Sequence, residues 1–365
     1  MKKNKKVLFV ATVDSHILQF HIPYLKWFKE HGYEVHVATN GDEKIPYCDK
    51  KHKICVERRP IKINNLKAII QLRRLINEDK FDIIHCHTPM GSVVTRIAAQ
   101  KARKKYGTKV IYTAHGFHFF KGAPVRNWII FYPVEKWLSK YTDCLITINQ
   151  EDYDLAKNKF WCKNVKFVQG VGVDKNKFNF AMSEEEKNKI RKELGIDKKD
   201  FVIIYPAELS KRKNQGMLLD IIKELKDDGY NNVKLLLPGL DSINGEYQRY
   251  AERLGIKDKV KFLGYRNDIP KLMKISNLAV SVAKQEGLPV NLIEAMMCNL
   301  PIVATDCRGN RDLIEDSVDI DDKEKSKEKI INNIKNNLTK KYDKDKYELS
   351  NIVNEMEKIY IEMQK

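Results

Sequence analysis

Short β-branched runs alternate with amphipathic helical stretches along almost the whole chain, and few folds accept that alternation. It is the pattern of parallel sheets with helices on both faces, so the fold class is α/β with doubly wound sheets. In the first half, strands are expected near Val7–Thr12, Glu34–Thr39, Asp82–Cys86, Lys109–Ala114, Cys144–Thr147 and Val165–Val168. In the second they are expected near Phe201–Pro206, Val233–Leu237, Val260–Phe262, Leu278–Val282 and Pro301–Ala304. Between Gln19 and His31, Phe20, Tyr24, Trp27 and Phe28 recur at helical spacing, and Gly32 follows where a left-handed C-terminal cap belongs. That stretch reads as one helix.

A chain of 365 residues exceeds one ordinary core, and 42% hydrophobic composition suffices for two. The boundary is placed at Gln169-Gly170-Val171-Gly172-Val173-Asp174, ahead of a polar stretch that runs to about Asp200. This gives an N-terminal domain over 1–172 and a C-terminal domain over 173–345. A last helix over about 346–365, with Ile352, Met356, Ile359 and Tyr360 in phase, is expected to pack back across the hinge. Sheets of this kind bind ligands at the carboxyl ends of their strands, so the site is expected in a cleft between the domains.

The longest apolar runs, such as Val7 to Val13, stop well short of the roughly 20 residues that a membrane span needs. The basic start, Met1 to Lys6, is followed by a strand-length apolar run, by Asp14 and by no small-residue cleavage site, which reads as cytoplasmic. Seven scattered cysteines, an odd number in apolar patterns, read as reduced packing residues. The net charge of +18 fits a solvated lysine-rich surface or an anionic partner. Among partners an acidic membrane surface is favoured over nucleic acid, because Lys101-Ala102-Arg103-Lys104-Lys105 and Arg73-Arg74 lie on expected helices without interleaved aromatics.

The sharpest motif is Gln285-Glu286-Gly287-Leu288-Pro289-Val290-Asn291-Leu292-Ile293-Glu294-Ala295, a strand end, a glycine loop and a helix start. With Pro289 at the first helical position, the amides of Gly287, Leu288 and Val290 would surround a positive helix end that can seat phosphate. Glu286 and Glu294 would repel phosphate unless they face hydroxyls, and sugar hydroxyls meet that need. The block, with the following Asn299-Leu300-Pro301-Ile302-Val303-Ala304-Thr305, resembles the retaining GT-B glycosyltransferases of the large family four, whose signature is two glutamates separated by seven residues. The resemblance implies a GT-B fold of two Rossmann-like domains, acceptor-binding over 1–172 and nucleotide-sugar-binding over 173–345, with Glu294 on the ribose hydroxyls and Glu286 on the donor sugar.

Tyr205-Pro206-Ala207-Glu208-Leu209-Ser210-Lys211-Arg212-Lys213-Asn214-Gln215 follows the first strand of the second domain and supplies cations. The resemblance assigns a diphosphate-binding lysine to Lys213, with Arg212 or Lys211 available for a second phosphate contact. Glu208 stands where the family usually carries arginine. Tyr112-Thr113-Ala114-His115-Gly116-Phe117-His118 resembles the family's catalytic-cleft loop, so His115 is expected to meet the sugar or position the acceptor, a packed aromatic corner being the alternative. The loop Ala11-Thr12-Val13-Asp14-Ser15-His16 holds no glycine, which excludes a dinucleotide fingerprint, and Asp14, Ser15 and His16 are expected on the acceptor side. His85-Cys86-His87 has no second Cys/His pair near it in sequence and reads as structural or cleft-lining rather than as a zinc site. Asp319-Ile320-Asp321 lies in a charged tail and reads as chance.

Taken together, the resemblance implies a hexosyltransferase of capsular or exopolysaccharide biosynthesis that uses a UDP-sugar donor and a lipid-linked glycan acceptor at the inner face of the plasma membrane. It implies no cofactor and no metal, with Lys213 and the helix end taking up the charge of the leaving diphosphate. After Arg308-Gly309-Asn310-Arg311-Asp312-Leu313-Ile314 the chain goes through Glu315-Asp316-Ser317-Val318 into the tail, where relatives continue through a further short strand. Three rivals fit parts of the sequence: a sugar-nucleotide epimerase of the same fold, a non-catalytic subunit derived from a transferase, and a basic nucleic-acid-binding protein.

Overall fold

Alternate residues of the first strand serve two different cores. Val7 and Phe9 pack on one face with Leu25, Phe28 and Tyr360, while Leu8 and Val10 pack on the other with Leu72, Ile84 and Val94. A strand buried on both faces belongs inside a parallel sheet covered by helices. The computed structural model describes residues 5–364 and divides into two units, one running to Val171 and resuming at Ser350, the other Gly172–Leu349.

The first unit holds β1 (Lys6–Val10), β2 (Glu34–Thr39), β3 (Lys50–Lys53), β4 (Ile83–His87), β5 (Lys109–Ala114), β6 (Cys144–Thr147) and β7 (Val165–Phe167). They form one sheet in the order β3-β2-β1-β4-β5-β6-β7, each pair parallel. β3 was not expected from the sequence. Its residues are Lys-Lys-His-Lys, which carry no apolar alternation, and charge of this kind suits an edge strand that must not pair with another chain.

The second unit holds β8 (Phe201–Ile204), β9 (Val233–Pro238), β10 (Val260–Gly264), β11 (Leu278–Ser281) and β12 (Ile302–Ala304), in the parallel order β10-β9-β8-β11-β12. Here too the first strand feeds two cores, Phe201 and Ile203 on one face, Val202 and Ile204 on the other. The fold is α/β with two doubly wound parallel sheets. Each sheet reverses its winding once, between β1 and β4 in the first unit and between β8 and β11 in the second, and loops at such a switch point part to leave a crevice.

Two local readings need correction. The stretch Gln19–His31 is not one helix but the end of Asp14–Phe20 followed by Ile22–Glu30, with His21 at the break. Pro23 causes it: in a continuous helix its ring would meet the carbonyl of Gln19 and its missing N–H would leave that carbonyl unpaired. Pro289 is the N-cap rather than the first residue of the helix Val290–Met297, with ψ of 107°. The last helix, Leu349–Met363, belongs to the first unit from Ser350 onward and buries Ile352, Met356, Ile359 and Tyr360 there. The segment after Ile314 keeps a remnant of sheet pairing, because Val318, fully buried, bridges Thr305 in parallel beside β12. All seven cysteines are free thiols, and no described helix is long and apolar enough to cross a membrane.

Candidate active site

Adjacency of β8, β11 and β12 explains which side chains meet in the second unit. Lys213 follows β8, Glu286 follows β11 and Arg308 follows β12, and the loops converge at the carboxyl edge of the sheet. Glu286 is only 6% exposed, and the ammonium of Lys213 donates a hydrogen bond to its carboxylate. Arg212 Nη1 stands 3.6 Å from the second carboxylate oxygen and donates to the Gln285 carbonyl at 3.2 Å. From behind, the buried Arg308 donates through Nε to the Glu286 carbonyl at 3.3 Å. A buried carboxylate is tolerable only when paired in this way.

Backbone contacts lock the same loops. The Lys284 amide donates to the Arg212 carbonyl at 3.0 Å, the Tyr205 hydroxyl to the Lys213 carbonyl at 3.1 Å, and the Asn291 amide group to the Pro206 carbonyl at 3.0 Å. Gly309 packs so closely that a Cβ there would lie 2.4 Å from the Gly287 oxygen and 2.9 Å from the Leu288 Cα. Among the described residues, no backbone carbonyl accepts from the amides of Gly287, Leu288 or Val290. Val290 opens the helix and the other two amides lie in the loop before its Pro289 cap, so all three are available to an anion. Glu294 lies half-buried one turn on, and burial pushes its carboxyl up to about 7 against the opposing charge of Lys177. Glu208 faces Arg212 across 3.9 Å, so the cation nearest that position is Arg212 itself.

The first unit gathers histidines instead. His16 follows β1, His87 ends β4 and His115 follows β5, while His21 sits at the helix break opposite them. His16 Nε2 and His115 Nε2 are 3.3 Å apart, His115 Nε2 and His87 Nδ1 3.4 Å, and the rings of His21 and His87 stack at 3.7 Å. Burial is the main force holding these imidazoles neutral: it lowers His16 to about 4, with the Arg58 charge adding to it, and takes His21, His87 and His115 well below their usual value. His85 is satisfied, its ring nitrogens lying 2.8 Å from the Tyr360 hydroxyl and 2.8 Å from the Thr113 hydroxyl, as a structural reading of that residue requires. Beside His16, with Ser15, Thr12, Arg58 and His118 on its walls, lies a cavity of about 370 Å³.

Asp14 does not face that cavity as an acceptor ligand, which corrects the expectation for it. It is 3% exposed, and its carboxylate accepts from the Thr39 hydroxyl at 2.5 Å, the Glu43 amide at 2.9 Å and the Lys51 ammonium at 2.6 Å. Burial alone would raise its pKa, but these three donors outweigh it and lower it. Its work is to pin the turn around Gly41, where a Cβ would lie 2.2 Å from its Oδ2.

Residues 186–349 match the family described as glycosyl transferases group 1, and residues 6–149 match glycosyl transferase 4-like. The "Putative glycosyltransferase EpsD" of Bacillus subtilis (strain 168) is 46% identical over 313 residues, 86% of this chain and 81% of that protein. The chain belongs to the glycosyltransferase family. A second relative of the enzyme is the UDP-Gal:alpha-D-GlcNAc-diphosphoundecaprenol alpha-1,3-galactosyltransferase of Escherichia coli, 28% identical over 70% of this chain and 66% of its own length. The solved structure of Anabaena HepE in complex with UDP and glucose superposes with a TM-score of 0.78 over 98% of this chain and all of that one, at 20% identity, and shows the GT-B fold.

Three features of this glycosyltransferase escaped the sequence reading. Arg308 and Gly309 lie in a segment whose resemblance was clear but whose place behind Glu286 was not. Lys177, the counter-charge of Glu294, comes from the polar stretch taken only as a boundary. His21 and His87 join His16 and His115 through the tertiary fold, across gaps that no local motif spans.

Proposed function

We propose that this glycosyltransferase moves a hexosyl group from a UDP-sugar to a glycan carried on a lipid diphosphate, with retention of configuration and with no metal at the donor diphosphate. The observation that carries the reading is the buried Glu286 carboxylate paired to Lys213, beside the amides of Gly287, Leu288 and Val290, which have no backbone acceptor among the described residues. A diphosphate entering that loop competes with Glu286 for Lys213 and Arg212, and frees the carboxylate to accept from sugar hydroxyls. Charge that builds on the leaving diphosphate then falls on Lys213 and on the amides of Gly287, Leu288 and Val290, with Pro289 fixing the turn. Glu294 takes the ribose hydroxyls. His115 hydrogen-bonds the sugar or positions the acceptor, with Ser15 and His16 on the acceptor side. The printed activity of the E. coli relative, with its UDP-Gal donor and diphosphoundecaprenol-linked acceptor, supports this choice of substrates. HepE, solved with UDP and glucose, supports a UDP donor. A glycan acceptor on a lipid diphosphate fits a role in exopolysaccharide or capsule synthesis, and the basic surface supports work at the inner membrane face.

The test is calorimetric titration with UDP in EDTA, with GDP as the competing nucleotide and Glu294→Ala as the variant. Metal-free binding of UDP that the substitution weakens is expected. A preference for GDP would overturn the choice of donor, and failure of the folded protein to bind either nucleotide would overturn the reading as a whole.

A further inference from the structure

We propose that His16, His21, His87 and His115 form a binding site for one zinc-class divalent metal ion in the first unit. One ligand nitrogen from each of the four lies within 4.8 Å of every other. The closest pairs, 3.3 Å for His16 to His115 and 3.4 Å for His115 to His87, are long for hydrogen bonds between ring nitrogens. They equal the edge of a tetrahedron with metal–nitrogen bonds of about 2.0–2.1 Å, which is about 3.3–3.4 Å.

The unmet hydrogen-bonding capacity points the same way. His21 is 1% exposed and neither of its ring nitrogens has a partner. Buried polar groups are normally paired, and such exceptions call for a missing partner. The half-buried His16 lies on the cavity of about 370 Å³ and gives an ion its way in.

The ligand set selects the metal. Four imidazoles without carboxylate or thiolate suit zinc and its neighbours, not magnesium or calcium. Cys86 points away, its thiol donating to the Ile111 carbonyl. The other histidine group of the unit, His36 with His52 and Asp79, is already satisfied: His36 contacts His52 at 3.0 Å and Glu34 at 3.0 Å, and Asp79 pairs with Lys6 at 2.7 Å. An ion on the four histidines would draw His115 and His16 away from substrate. Inhibition of transfer by zinc therefore rests on the function proposed above, whereas binding itself does not.

The experiment titrates the full untagged chain with Zn²⁺ by calorimetry and with Co²⁺ by visible absorption, and records X-ray absorption of the zinc-loaded protein. One ion per chain is expected, with nitrogen scatterers at about 2.0–2.1 Å. Affinity should fall at least about 10-fold in His16→Gln, on the exposed side of the cluster, and in His87→Gln, and should stay unchanged in His52→Gln. Absence of one-to-one binding would overturn the site. So would sulfur scattering near about 2.3 Å, or affinity lost in His52→Gln instead; the spectra of the wild-type chain decide even where His87→Gln fails to fold. Zinc binding without any transfer activity would leave the site standing and count against the proposed function, and transfer without zinc binding the reverse.

Discussion

Lys213 and Glu286 neutralise each other at the donor side, and this pairing sets what each substitution should do. In Lys213→Ala the buried carboxylate keeps Arg212 at 3.6 Å, so the fold should survive while the charge opposite the leaving diphosphate is lost. Turnover is expected to fall about 10²–10³-fold, with the thermal melt largely retained; near-normal turnover in the folded variant would remove Lys213 from the mechanism. Glu294 makes a different prediction, through pH. Its carboxyl, raised by burial to about 7, binds a proton more tightly in the folded chain than at its ordinary value of 4.5. The native state therefore holds the extra proton between those limits, and stability drains away as pH rises from about 4.5 through about 7. Glu294→Gln removes that penalty. Its melting temperature should exceed wild type at pH 8 and match it near pH 4.5, by an amount worth a few kcal/mol at most at about 1.4 kcal/mol per pKa unit. UDP affinity of the wild type should weaken below about pH 7 as the carboxylate protonates, and equal melting curves at pH 8 would contradict both statements.

At the scale of elements, the loop after β11 is shaped by what packs against it. Gly309 has no side chain because the Gly287 carbonyl occupies that place, 2.4 Å from where a Cβ would stand. Gly309→Ala should push the loop away from its amide geometry and weaken UDP binding about 10-fold or more, since misplacement of about 1 Å can cost 10²-fold in rate. Calorimetry against UDP checks this, and unchanged affinity would show that the loop yields freely. The same contact shows what the sequence made legible. Strands rich in Val and Ile, such as Lys109–Ala114 and Cys144–Thr147, announced themselves because both of their faces are apolar. β3 did not, because an edge of lysines carries no such signal. Apolar spacing runs unbroken through His21, so only Pro23 marked the helix break there. A polar loop after β1 reads alike whether its donors are a ligand or Thr39, Glu43 and Lys51, which is why Asp14 was misjudged. The histidine group was not legible at all, because His16 and His115 lie 99 residues apart and meet only through the strand order β1-β4-β5.

At the scale of the whole molecule, the net charge of +18 and the exposed apolar side chains of the first unit bear on one question, attachment to a membrane. On the helix Val125–Leu138, Val125, Ile129, Ile130, Val134 and Trp137 are all exposed, the first three by more than half. On Ile63–Asp79 the exposed Ile63, Leu66 and Ile70 share one face, and Arg73 and Arg74 stand exposed one turn further on. Apolar contact alone or basic charge alone gives marginal, reversible attachment, while the two together can hold a protein at an acidic interface. Binding to vesicles that contain anionic phospholipid should therefore fall steeply as salt rises from about 0.05 M to about 0.5 M, where the screening length drops below about 5 Å. Ile129→Ser with Ile130→Ser should weaken it at low salt as well, without changing UDP affinity. Such side chains lose no core packing when replaced, so lost vesicle binding could not be ascribed to unfolding. Binding that ignores salt would argue for insertion through the apolar face alone, and no binding at any salt would leave the charge with a solvating role and remove the membrane from the proposed function.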